Sequence, residues 1–109
     1  MKKIEVIFRP EKLEPLKDKL LEAGIQGVTI YQVHGCGNQH GWIAYHRGNE
    51  VMMNTLPKVY LMTVVPDDQV ESFLQLIKEI TYTGTVGDGK IFISPVCLLY
   101  TSPRPRDTR

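Results

Sequence analysis

Cysteine is scarce in this chain. Cys36 and Cys97 are the only two in 109 residues, too few and too far apart for a disulfide framework or for the paired spacing of a structural zinc site. An excess of charge is also missing: 13 Lys and Arg against 12 Asp and Glu leave a formal net charge of +1. That supplies no broad basic field for nucleic acid or an anionic membrane, so any anion site must be local. No apolar run approaches the roughly 18 residues of a membrane span, and Met1-Lys2-Lys3-Ile4-Glu5 lacks the apolar core of a signal peptide. The chain therefore reads as soluble and cytoplasmic. Aromatic residues are few, and an RNA-recognition module would need them at set positions on central strands, where only Tyr60 and Phe92 qualify.

What is present, 42% hydrophobic and 23% charged residues, suits one compact domain with a modest core. Ile4, Val6 and Phe8 recur at a spacing of two, with Ile7 on the other face, which predicts a central strand over residues 2–9. Leu13, Leu16, Leu20 and Ala23 then recur at three and four, which predicts an amphipathic helix stopped by Gly24. Pro15 requires that this helix kink or start late. Residues 28–33 and 59–65 predict two further strands. Between them, from Gly35 to about Thr55, no helical or strand period persists, and a polar loop of that length in a small domain is usually functional. Asp67 is placed to cap a second helix whose inner face carries Val70, Phe73, Leu74, Ile77 and Ile80. A strand over residues 90–96 follows.

The order strand, helix, strand, long loop, strand, helix, strand predicts a ferredoxin-like α+β sandwich, an antiparallel sheet with two helices on one face. The other face would stay bare and apolar, which predicts self-association. Just before the last strand lies Thr83-Gly84-Thr85-Val86-Gly87-Asp88-Gly89-Lys90-Ile91-Phe92-Ile93. Its backbone N–H groups and the Lys90 ammonium could converge on a phosphate, although Asp-Gly before a strand also makes an ordinary turn. Both readings stay open on this stretch alone. A small phosphate-cradling hydrolase, acylphosphatase-like or a slow ATPase, is the enzymatic alternative, but no Ser/His/Asp or Cys/His set supplies a nucleophile and base. A metal site from His34, Cys36 and His40 lacks paired ligand spacing.

Residues 83–92 combine with Lys3-Ile4-Glu5, Arg9-Pro10-Glu11-Lys12-Leu13, Gly35-x-Gly37-x-Gln39-x-Gly41, Arg47-Gly48 and Leu56-Pro57-Lys58 at set spacing. On these motifs, with residues 83–92 a near-complete match, residues 1–96 resemble the P-II nitrogen regulatory signalling proteins. The resemblance implies a homotrimer with ATP or ADP bound in each cleft between copies. Ile7, Thr29 and Val64 would lie around the adenine, and Gly35, Gly37 and Asn38 would contribute from the base of the long loop. Gly87, Asp88, Gly89 and Lys90 would wrap the phosphates. Gln39 would give its amide oxygen to Mg²⁺ held by ATP and 2-oxoglutarate, a donor type that suits a hard cation. Gly41 would border the 2-oxoglutarate, and Lys58 would pair with its distal carboxylate.

The resemblance also implies a target, an ammonium transporter or a nitrogenase or nitrogen-assimilation enzyme, gripped by the long loop. Arg47 is the residue that enters a channel mouth in the family. Trp42, Met52 and Met53, large apolar groups in a polar loop, are further partner contacts. The tyrosine that some relatives use for uridylylation is Val51 here, which excludes modification at that position. Residues 97–109 depart from the family: Thr101 and Pro103 stand where arginines are expected, and Arg104 and Arg106 come three residues late. This tail resembles translated sequencing-adapter readthrough, so it is set apart from the P-II-like domain.

Overall fold

The structure, a computed structural model, describes residues 1–35, 42–46, 49–53, 55–84 and 89–100, of which 42–46 and 49–53 are described as backbone only. Among the described residues, six strands and two α-helices follow in the order β1 (Lys2–Phe8), α1 (Leu13–Glu22), β2 (Thr29–Gly35), β3 (Trp42–His46), β4 (Asn49–Met53), β5 (Leu56–Val65), α2 (Val70–Thr81) and β6 (Gly89–Pro95). Four of the strands form one antiparallel sheet in the order β2-β5-β1-β6. With the two helices this is the expected ferredoxin-like arrangement.

Side-chain alternation decides the two faces. Residues directly opposite on antiparallel strands share a face, and the register sets Ile4 opposite Thr63 and Ile93, Val6 opposite Leu61 and Ile91, and Phe8 opposite Val59 and Gly89. On this side Ile4, Val6, Phe8 and Leu61 are completely or almost completely buried, in one cluster with Leu16 and Leu20 of α1 and Phe73 and Ile77 of α2. The opposite face carries Lys3, Glu5 and Ile7 of β1, Lys58, Tyr60, Met62 and Val64 of β5, Tyr31 of β2 and Phe92 of β6. Neither helix covers it. Tyr31 is 57% exposed and Phe92 50%.

The ends of α1 follow the sequence. A 3₁₀ turn at Pro10–Lys12 precedes it, so the helix starts late, at Leu13, and Pro15 falls in the first turn, where its missing N–H costs little. Gly24, at φ +101°, ends the helix in the left-handed region, and the Ile25 N–H reaches back to the Leu20 carbonyl at 3.0 Å.

Several expectations are corrected. The segment in which no strand period is legible contains a two-stranded antiparallel ladder, from the pair Trp42 and Met53 to the pair His46 and Asn49. Backbone pairing between the two halves satisfies their N–H and C=O groups without needing an alternating pattern. Strand β2 runs from Thr29 to Gly35, one residue later at its start and two later at its end than expected, and β5 begins at Leu56, with Pro57 opposite His34. Strand β6 spans Gly89–Pro95, one residue ahead of the expected bounds. Asp67 does not cap α2: a 3₁₀ turn at Asp67–Gln69 intervenes and no side-chain cap bond forms. The Asp67 carboxylate instead accepts from the Met1 amino group at 3.0 Å, which holds its pKa below the ordinary carboxylate value. In α2 it is Leu76, not Leu74, that packs against the core cluster. Among the described residues no helix is long and apolar enough to cross a membrane.

Candidate functional site

The described site residues fall into two groups, all but Gly89 on the uncovered face. The first group gathers where β1 ends and β6 begins. Ile7 stands directly opposite Lys90 on one side and Tyr60 on the other, and Phe8 stands opposite Gly89. At the same end of the sheet Lys58 is opposite Val33, and Gly35 is opposite Leu56. The second group lies toward the other end, where Thr29 is opposite Met62 and Val64 is opposite Lys3. Lys58 and Val64 are six residues apart along β5, roughly 20 Å at about 3.3 Å per residue.

Two glycines in the first group are dictated by space. Gly89 has φ +147°, and a β-carbon there would lie 2.1 Å from the Ile7 carbonyl oxygen, closer than any side chain tolerates. The start of β6 is thereby pressed against β1, and Lys90 follows directly in register. A β-carbon on Gly35 would sit 3.3 Å from Cγ of Lys58. Lys58 is 9% exposed, so its stem runs through a space that Gly35 leaves open.

A cavity of about 600 Å³ opens beside this group, bordered by Ile7, Gly89 and Lys90 from the strands and by Lys78, Thr81 and Tyr82 at the end of α2. Thr81 is buried, and its hydroxyl donates to the Ile77 carbonyl at 2.8 Å, closing the last turn of the helix. Lys78 and Tyr82, which border this cavity, are not among the residues that the sequence singles out.

Between the two groups lies a cluster that sequence reasoning missed. The Tyr60 hydroxyl donates to a Glu5 carboxylate oxygen at 2.6 Å, and the Tyr31 and Tyr60 rings approach to 5.7 Å at a tilt of 45°. The hydrogen bond to the carboxylate raises the Tyr60 pKa. The signal was available in the alternation of β2 and β5, which places residues 31 and 60 on one face, but it needs the strand register to be read.

Gly37, Asn38, Gln39, Gly41, Arg47, Gly87 and Asp88 lie outside the described residues, as do Cys36 and His40. Trp42 is on β3, and Met52 and Met53 are on β4, with Trp42 paired to Met53 and Ile43 to Met52. On the sheet itself the charged side chains of the first group are Lys58 and Lys90. Two cations suit a polyphosphate or a dicarboxylate, and among the described residues of this end a divalent metal fits only if it arrives with such an anion.

Comparison with known proteins bears on this arrangement. The family model described as "Nitrogen regulatory protein P-II" matches residues 1–104. A nitrogen regulatory protein P-II of Mesorhizobium japonicum is 45% identical over 96 residues, covering 88% of this chain and 86% of the relative. One from Azospirillum brasilense is 44% identical over the same shares. The nitrogen regulatory protein GlnK of Escherichia coli is 42% identical over 94 residues, covering 86% of this chain and 84% of the relative. With a match across nearly its whole length and relatives above 40% identity, the chain belongs to the P-II family of nitrogen regulatory proteins.

Proposed function

We propose that the chain is a cytoplasmic nitrogen-status sensor that assembles as a homotrimer and binds ATP or ADP, with Mg²⁺ and 2-oxoglutarate, in clefts between copies. The observation that carries this reading is the division of the candidate residues. Thr29 and Val64 occupy one end of a bare sheet face, and Lys90, Lys58 and Gly35 occupy the other, with Gly89 next to Lys90 in the chain. The two groups become one site when a neighbouring copy brings its Thr29 end against the Lys90 end of the first. The exposed Tyr31 and Phe92 on that face gain burial in such an assembly.

In this reading Gly87, Asp88, Gly89 and Lys90 hold phosphates, and Ile7, Thr29 and Val64 hold the base. Gly35, Gly37, Asn38, Gln39 and Gly41 connect the ligands to the long loop, and Lys58 takes the distal carboxylate of 2-oxoglutarate. Gln39 would help to hold Mg²⁺, which would supply neutralisation of phosphate charge. The loop bearing Trp42, Arg47, Met52 and Met53 grips a target, an ammonium transporter or an enzyme of nitrogen metabolism. The ligands act by binding one loop state better than another. The regulatory names of the relatives favour this reading over a small hydrolase.

Calorimetric titration tests it. MgATP should bind, 2-oxoglutarate should bind only in its presence, and Gln39→Ala should remove that coupling while leaving ADP affinity nearly intact. Independent 2-oxoglutarate binding, or none, would sink the reading.

A further inference from the structure

The core-facing row of β5 reads Val59, Leu61, Thr63, Val65, and one hydroxyl interrupts it. Thr63 is 2% exposed, and its Oγ1 donates to the Gly27 carbonyl oxygen at 2.8 Å. The ladder between β2 and β5 begins only at the pair Thr29 and Met62, and residues 25–28 are irregular backbone. The Thr63 hydroxyl therefore takes over where strand pairing stops. Ile25, 6% exposed, and Val28 anchor the same segment to the core by apolar contact. Of these anchors Thr63 alone is directional, and it is the immediate chain neighbour of Val64.

We propose that Thr63 is a positioning residue for the base end of the nucleotide site: by holding the Gly27 carbonyl against β5, it sets Thr29 and Val64 as one surface. The inference rests on the nucleotide reading above. Thr63 touches no ligand, since its side chain lies on the core face while Thr29 and Val64 lie on the other. Without the hydroxyl, the segment entering β2 keeps its apolar anchors but loses the bond that fixes its height over β5. The effect falls on the base end, and the residues of the phosphate end, Gly89 and Lys90, are untouched.

The test uses the full chain and measures MgATP, MgADP and MgGTP binding by calorimetry for wild type, Thr63→Val, Thr63→Ala and Thr63→Ser. Valine keeps the volume and removes the hydroxyl. Alanine removes the hydroxyl in a smaller side chain and decides the matter if the valine chain does not fold. A neutral hydrogen bond's net contribution sets the scale at roughly 3- to 10-fold weaker MgATP and MgADP binding in the variants without the hydroxyl. Serine should stay within about twofold of wild type by the same scale. MgGTP binding should change less than MgATP binding, because a shifted base end erodes base discrimination before phosphate capture. The proposal is overturned if valine and alanine bind MgATP as wild type does, if serine weakens binding as much as valine, or if MgATP and MgGTP weaken in equal proportion. Failure of the wild-type chain to bind MgATP at all is a separate result, which overturns the nucleotide site and this proposal with it.

Discussion

Gly89 lies against Ile7 so closely that a β-carbon on residue 89 would stand 2.1 Å from the Ile7 carbonyl oxygen. The approach is made by backbone, which cannot swing aside as a side-chain tip would. It couples the geometry of the candidate phosphate end to the pairing of β1 with β6, because Phe8 and Gly89 are register partners and Lys90 follows opposite Ile7. Gly89→Ala must therefore either part the two strands or rotate residue 89. A positive-φ residue in a rarely populated region costs about 1–3 kcal/mol even without a clash. We expect a drop in unfolding free energy of at least that order in urea, together with loss of measurable MgATP binding. An alanine chain as stable as wild type would show that the strand start relaxes freely.

The Glu5 and Tyr60 pair makes a prediction about pH. A carboxylate accepting a hydrogen bond from the protonated phenol raises the Tyr60 pKa above its ordinary 10.0. Raising a folded-state pKa means that the bond's contribution is fully present below the ordinary phenol range and is lost as pH rises through the higher folded value. In an ultraviolet titration of phenolate formation, Glu5→Gln should move the most alkaline tyrosine step downward. The other tyrosines should be little affected, except Tyr31, which packs against Tyr60. No movement of that step would mean that the carboxylate and phenol do not meet in solution.

A site divided between copies can be restored by mixing. In the proposed ring each site would take its base end from one copy and its phosphate end from the next. Val64→Arg spoils only the first and Lys90→Ala only the second, because these residues sit at opposite ends of the sheet. Neither variant alone should bind MgATP. Co-refolded in equal amounts, they should recover about a quarter of the wild-type sites, the chance that a cleft draws both intact ends in a cyclic assembly. No recovery would place both ends within one chain.

The fold was largely legible because its signals are local and periodic. Ile4, Val6 and Phe8 alternate cleanly, Gly24 supplies a positive-φ stop, and Pro15 constrains where α1 begins. Expectation failed where a tertiary partner outcompeted the local one. Asp67 has the right chemistry for a cap, but the amino group of Met1 lies within 3.0 Å of its carboxylate. Trp42, Ile43 and Tyr45 do not alternate with polar residues, yet each finds a backbone partner across β4. The candidate site was legible only as glycines and lysines in a recognisable order. Tyr31, Tyr60 and Thr63 were not, because their roles arise from register and from one long-range hydrogen bond, neither of which leaves a pattern along the chain.

If the proposed function holds, Lys58 and Gly35 should separate 2-oxoglutarate binding from nucleotide binding. Lys58 is 9% exposed, and its Cγ would meet a β-carbon on residue 35 at 3.3 Å, a tight but not impossible contact. An aliphatic stem can yield a few tenths of an ångström, though doing so moves the ammonium at its far end. If that ammonium captures the distal carboxylate, Lys58→Met should abolish 2-oxoglutarate binding to the MgATP-loaded protein while ADP affinity stays within about twofold, since removing a charge-assisted contact affects only the ligand that uses it. Gly35→Ala should retain Lys58 and weaken the same coupling by several-fold, on the order of the contribution of one such bond. Calorimetry on the two variants separates displacement from deletion: a graded loss, larger for Lys58→Met than for Gly35→Ala, is the expected order. Equal and complete loss in both would mean that residue 35 contacts the ligands itself, so that its missing β-carbon serves the ligand and not the lysine.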